Sequence, residues 1–125
     1  MSGENAKGRL DVLVFRVLLV LILVVLMGYT SIVISSHGWN LFAVFFGDMS
    51  AMTWAGQFNT DFMGFLTLSA LWTAWRHRFS LAGLALGVIA FFGGMMFLTI
   101  YLLATSYAVK GDVRALLLGP HRASA

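Results

Sequence analysis

The sequence predicts an all-α integral membrane protein with three transmembrane helices. Of its 125 residues, 60% are hydrophobic and 10% are charged, whereas about a quarter of the residues in soluble domains are charged. Mean hydropathy is +0.89. Between residues 17 and 109 the charged residues are Asp48, Asp61, Arg76 and Arg78. The uncharged stretches before Asp48 and after Arg78, residues 17–47 and 79–109, exceed the roughly 20 residues that a helix needs to cross a bilayer.

Three apolar segments predict the spans, at about residues 12–35, 55–75 and 81–107. The first has an aliphatic core that follows Lys7, Arg9 and Arg16, which is typical of a signal anchor. Its length exceeds the 7–15 apolar residues usual in a cleaved signal peptide. The second ends abruptly at the polar sequence RHR (residues 76–78), and the third is long enough to cross the bilayer with some tilt.

Two shorter segments are predicted to lie at the membrane surface. Residues 40–47 are too few to cross, and their aromatic side chains favour a short interfacial helix. A re-entrant segment is the alternative. At the carboxyl end, Asp112 is a suitable N-cap for a short amphipathic helix over about residues 112–118, which Gly119 and Pro120 end. The whole chain, residues 1–125, is predicted to form a single membrane domain.

The distribution of Lys and Arg predicts orientation in a bacterial inner membrane, because cytoplasmic loops are enriched in these residues. With three spans, five basic residues share the amino-terminal side: Lys7, Arg9, Arg16, Arg76 and Arg78. Three lie on the opposite side: Lys110, Arg114 and Arg122. The first loop has none. The amino terminus is therefore predicted to be cytoplasmic and the carboxyl terminus periplasmic.

Composition excludes several classes of chemistry. The chain has no cysteine, so it has no disulfide, thiolate nucleophile or iron–sulfur cluster. Its three histidines, His37, His77 and His121, fall at span ends or in the tail, and no metal-binding motif is present. We therefore predict no metal and no cofactor. The net charge of +3 reflects basic residues at segment ends, which predicts contact with the lipid bilayer and no nucleic-acid binding.

One face of the second span carries polar and small residues at helical spacing. They are Gln57, Thr60, Asp61, Gly64 and Thr67. In the three-span topology, Asn59, Tyr29 and Tyr101 lie at a similar depth. We therefore predict a ligand site of Gln57, Asn59, Asp61, Tyr29 and Tyr101 at the outer end of the bundle. The alternative is that Asp61 is solvated or caps a helix in the headgroup region.

The third span carries a strip of small residues, Gly83, Gly87, Ala90 and Gly94. Their four-, three- and four-residue spacing matches the small-xxx-small pattern that lets membrane helices approach closely. The strip is predicted to pack within the chain or against a partner.

Three stretches resemble small uncharacterised bacterial three-span inner-membrane proteins. They are FNTDF at 58–62, LWTAWRHRFS at 71–80 and KGDVRALLLG at 110–119. The shared plan is an aspartate early in a span, Trp and Arg at its end, a glycine-rich span and a Gly-Asp tail. The resemblance implies a three-span inner-membrane protein and no particular activity.

These features favour a non-enzymatic membrane protein that is an accessory or assembly subunit of a larger complex, or a self-associating oligomer. The alternative is a protein or enzyme that binds a small molecule or an isoprenoid-type lipid around Asp61. A small transporter protomer is a third class, and it requires oligomerisation because three helices enclose little space and no inverted repeat is visible.

Overall fold

A computed structural model describes the backbone of residues 2–124 and the side chains of residues 6–124. The predicted domain of residues 1–125 therefore has its two terminal residues outside this range. The chain is 87% helical with no strand in the described part, so the all-α prediction is confirmed. The helices are α1 (Ser2–His37), α2 (Leu41–Ser50), α3 (Trp54–Arg76), α4 (Leu81–Ala108), α5 (Val113–Leu118) and α6 (Pro120–Ala123).

Side-chain caps set the starts of three helices. The hydroxyl of Thr53 accepts a hydrogen bond from a backbone N–H in the first turn of α3, and Ser80 does the same for α4. Asp112 accepts from two N–H groups at the start of α5. These interactions satisfy donors that a helix amino terminus leaves unpaired.

By length and composition alone, two helical segments are long and apolar enough to span a membrane, Ala6–His37 and Leu81–Ala108. Helix α3 has 23 residues, which is about 34 Å of helix. Its mean hydropathy is lower than that of the other two segments, because Gln57, Asn59 and Asp61 are polar residues in its first half. The three-span count therefore stays a prediction.

Helix α4 reverses direction at Gly94. Its φ of 57° and ψ of −142° are non-helical. In a straight helix, Tyr101 would lie about 30 Å from Leu81, yet the Tyr101 hydroxyl is 2.6 Å from Nε2 of His77, which precedes α4. We call residues 81–93 the first limb and residues 95–108 the second limb. Residues 81–107, predicted as the third span, therefore do not form one straight helix.

The two limbs and the other helices form one small bundle. The first limb runs antiparallel to α3, with Gly94 against the Phe62 side chain halfway along α3. The second limb returns beside α3 and packs on α1, where Arg16 bonds to Ser106. Helix α2 packs on the first half of α3, and the Asn59 amide donates to the carbonyl of Phe45 at 3.1 Å. The two limbs thus begin and end at the same end of the bundle.

Candidate functional site

All eight Lys and Arg residues lie at or near one end of the bundle, which we call the basic end. The start of α1 reaches it because Val12 contacts Gly111 and Arg16 bonds to Ser106. The end of α3 and the segment after α4 meet there through Arg76. The reversal at Gly94 returns the carboxyl-terminal segment to the end of the bundle where α1 begins, whereas the prediction had the two termini on opposite sides of the membrane.

At the basic end, two side chains of α3 hold the last carbonyl groups of α5. The Arg76 guanidinium donates to the carbonyl of Leu116 at 2.7 Å and to that of Ala115 at 3.3 Å. The Trp72 indole N–H donates to the carbonyl of Leu117 at 2.9 Å. We call this arrangement the carboxyl-terminal clamp. It satisfies the Leu116 and Leu117 carbonyls at the end of α5, whereas the Ala115 carbonyl also accepts from the backbone N–H of Gly119. It also places a cation where the helix dipole favours one.

Arg76 is 6% exposed and makes a third hydrogen bond, to the Tyr101 hydroxyl at 3.1 Å. That hydroxyl also contacts Nε2 of His77 at 2.6 Å. Burial, and to a smaller extent the Arg76 charge, lower the pKa of His77 below 6.5. The neutral imidazole is therefore favoured at pH 7 and accepts from Tyr101, whose oxygen accepts from Arg76. This network fastens α3, the second limb and α5 together.

The final turn of the chain also docks on α3. Arg122 donates to the carbonyl of Trp75, and its guanidinium lies 4.1 Å from the centroid of the Trp75 ring, a cation–π arrangement. Gly119 approaches so closely that a Cβ there would lie 2.6 Å from the carbonyl oxygen of Arg76. Only glycine permits this contact. The C-terminal helix predicted over about residues 112–118 is present as α5 and packs against α3.

The predicted ligand site around Asp61 is not assembled. Tyr101 lies at the basic end, bonded to Arg76 and His77, whereas Asp61 lies 15 residues before Arg76, about 22 Å away along α3. Tyr29 is 71% exposed on α1. The site required a straight third span, which would have carried Tyr101 to the far end. Asn59 is engaged with α2, and Gln57 is exposed.

The polar face of α3 points away from the bundle. All of its members are exposed: Gln57, Thr60, Asp61, Gly64 and Thr67. The Thr60 and Thr67 hydroxyls donate hydrogen bonds to carbonyls of their own helix, four residues earlier. A Cβ built on Gly64 would meet no atom within 4 Å. We call this surface the polar stripe.

The small-residue strip of α4 packs within the chain, against α3. A Cβ on Gly87 would lie 3.1 Å from the carbonyl oxygen of Ala70, and one on Gly83 would lie 2.6 Å from Cβ of His77. Ala90 is fully buried. Gly94 has a different role from the one its spacing suggests, because it forms the reversal.

The sequence reasoning missed two features. The RHR sequence predicts a polar end to the second span and no contact for Arg76, although the i, i+4 spacing of Trp72 and Arg76 places both on one face of α3. The reversal also had a signal, the adjacent Gly93 and Gly94 within a long apolar segment. Paired glycines weaken a helix and permit non-helical backbone angles.

The described residues define an all-α bundle with a cationic end. Among residues 6–124 there is no group of three or more His, Asp or Glu side chains placed to hold a metal ion. The basic end can bind anions and the polar stripe can offer hydrogen bonds. No protein-family model, curated protein or solved structure matches the chain.

Proposed function

We propose that this chain is a bacterial inner-membrane protein in which α1 and α3 cross the bilayer and α4 is a re-entrant helical hairpin. The first limb has 13 residues, about 20 Å of helix, which is less than the roughly 30 Å hydrocarbon core. Both limbs are held by protein on their inner faces, as non-helical backbone at membrane depth requires. Both termini are then cytoplasmic.

Charge supports this topology. With both termini on one side, all eight Lys and Arg residues are cytoplasmic or at that interface, and the segment between α1 and α3 has none. A straight α4 would divide them five to three. The positive-inside rule favours the more asymmetric arrangement.

Because the natural chain has no cysteine, single cysteines test this topology directly. Ser124→Cys and Ser36→Cys are placed at the two ends of the bundle. In intact cells, a membrane-impermeant maleimide is expected to label Ser36→Cys and to label Ser124→Cys only after lysis. Labelling of Ser124→Cys in intact cells would contradict the re-entrant hairpin.

We further propose a non-enzymatic role as an accessory or assembly subunit that binds a transmembrane partner through the polar stripe. The single observation that carries this proposal is the outward orientation of Asp61 and its neighbours. Asp61 lies about 22 Å along α3 from the basic end, which is within the hydrocarbon layer. A carboxylate in this layer is costly, by up to the roughly 2.5–3.5 kcal/mol that applies at the bilayer centre.

A partner helix with hydrogen-bond donors would lower this cost. The stripe is suited to such a contact because Gly64 leaves open space for a second backbone and Thr60 and Thr67 offer hydroxyls. A second copy of the chain is one such partner. The glycine strip of α4 is not available for this purpose, because α3 covers Gly83 and Gly87.

Photocrosslinking in native membranes tests the contact. With a photoreactive amino acid in place of Thr67, we expect one discrete adduct, or a species of twice 13.7 kDa if the partner is a second copy. Adding Gly64→Leu is expected to remove the adduct by filling the open space. Gly28→Leu is the matched control, because Gly28 also has nothing within 4 Å. An adduct that survives Gly64→Leu, or no adduct at all, would contradict the proposal.

A further inference from the structure

A cleft of about 1030 Å³ lies at the basic end, between the start of α1, the end of the second limb and α5. This volume is at the upper limit of the roughly 300–1,000 Å³ typical of ligand sites. Three cations, Arg9, Arg16 and Lys110, line the cleft together with one carboxylate, Asp11. The polar stripe and the carboxyl-terminal clamp involve none of these four residues.

Arg16 is the fixed cation of the cleft. Its Nε donates to the Ser106 hydroxyl and its Nη2 to the Ser106 carbonyl, both at 3.0 Å. Its guanidinium lies 3.8 Å from the centroid of the Tyr107 ring. These contacts leave three of the five guanidinium N–H groups for another acceptor. Because both protein acceptors are uncharged and Arg16 is half-buried, an anionic ligand at this position would lower the cost of burying its charge.

The other walls of the cleft are apolar. Leu13 and Phe15 contribute from α1, and Val113 and Leu116 contribute from the α5 side. Arg9 and Arg16 are seven residues apart, about 10 Å along α1, so positive charge extends along the cleft beside apolar surface. A ligand that matches both the cations and the apolar walls of the cleft has an anionic head and a hydrocarbon chain.

We propose that the cleft binds an acidic phospholipid of the cytoplasmic leaflet, with its phosphate at Arg16 and Lys110 and an acyl chain along the apolar wall. Basic sites between helices on the cytoplasmic side are suited to such headgroups. Lipid is favoured over free phosphate because phosphate alone would leave the apolar wall exposed. This inference rests on the membrane residence proposed above but not on the partner at the polar stripe.

Native mass spectrometry of the full chain in detergent tests the site, with phosphatidylglycerol and phosphatidylcholine of matched acyl chains as probes. We expect tighter binding of phosphatidylglycerol. Lys110→Gln is expected to weaken it about fivefold, the effect of one basic residue near an anionic headgroup. Arg114→Gln is the charge-matched control, because Arg114 is exposed and does not line the cleft. Its affinity is expected to remain within about twofold of the natural chain.

Three results would overturn the assignment: equal affinity for the two lipids, equal losses in Lys110→Gln and Arg114→Gln, or displacement of phosphatidylglycerol by excess inorganic phosphate. Lys110 is exposed and makes no side-chain hydrogen bond in the described part of the chain, so its replacement leaves the fold intact. Gly64→Leu is expected to leave lipid binding unchanged, which separates this site from the polar stripe. A chain that leaves the membrane in alkaline carbonate without detergent would instead refute the membrane residence.

Discussion

Replacing Gly94 with alanine is expected to destabilise the bundle, whereas the same replacement at Gly64 is expected to stabilise it slightly. Gly94 has a positive φ of 57° with ψ of −142°, a region that residues with a Cβ adopt only at a cost of about 1–3 kcal/mol. The new Cβ would also lie 3.2 Å from Cζ of Phe62. Gly64 lies in regular helix with open space around it, and alanine there gains about 0.5–1 kcal/mol. The free energies of unfolding of the two variants should therefore differ by about 1.5–4 kcal/mol.

The assay is unfolding in mixed micelles of dodecyl maltoside and sodium dodecyl sulfate, followed by near-ultraviolet circular dichroism. This signal reports tertiary packing, and the Trp72 and Tyr101 rings meet edge to face with centroids 5.9 Å apart. Far-ultraviolet dichroism is unsuitable because helices persist in the unfolded micellar state. If Gly94→Ala is as stable as Gly64→Ala, the reversal of α4 does not depend on the backbone angles of Gly94 and the reasoning is refuted.

Three further predictions concern the packing of α3. Arg76→Gln should accelerate amide hydrogen exchange in residues 113–123, because the Leu116 carbonyl loses its Arg76 donor, and a buried acceptor without a donor costs about 1–3 kcal/mol. Arg78→Gln, at an exposed position, should not accelerate it, and equal exchange in the two variants would argue against the clamp. Since the pKa of His77 is lowered in the native state, the unfolded chain takes up the proton first as the pH falls through 6.5. Stability should therefore decrease as the pH falls through 6.5, and His77→Gln should flatten this dependence of the unfolding midpoint. An unchanged slope in His77→Gln would contradict the prediction. Gly87→Leu should lower the unfolding midpoint in the same micelles, because its side chain would collide with α3, and a natural midpoint would show that the strip is not tightly packed.

The helices themselves could be predicted from the sequence because their signals are local. Polar caps at Thr53, Ser80 and Asp112 mark helix starts, and the apolar runs between charged residues mark the long helices. The observed bounds of α3 and α5 differ from the predicted ones by one residue at each end or less. The spacing of Gly83 and Gly87 predicted close helix packing but left open whether the opposing helix belongs to the same chain.

The candidate sites depended on long-range geometry and were harder to infer. The backbone conformation of Gly94 determines whether Tyr101 lies beside Asp61 or beside Arg76. The hydropathy of the segment is the same in either case, so it cannot distinguish a straight helix from a hairpin. The clamp joins α3 to carbonyls about 40 residues later in the chain, and backbone acceptors have no sequence signature. The cleft likewise unites Arg9 and Lys110, which are distant in sequence and meet only because the second limb returns to α1.

The reversal at Gly94 also changes what biogenesis demands of the chain. In the proposed topology only residues 38–53 must be carried through to the periplasm, and Asp48 is their one charged residue. The hairpin enters and leaves from the side of synthesis, so no lysine or arginine is translocated. Insertion would then require only α1 and α3 to cross the bilayer. Helix α4 would pack against these two helices after they are in the membrane.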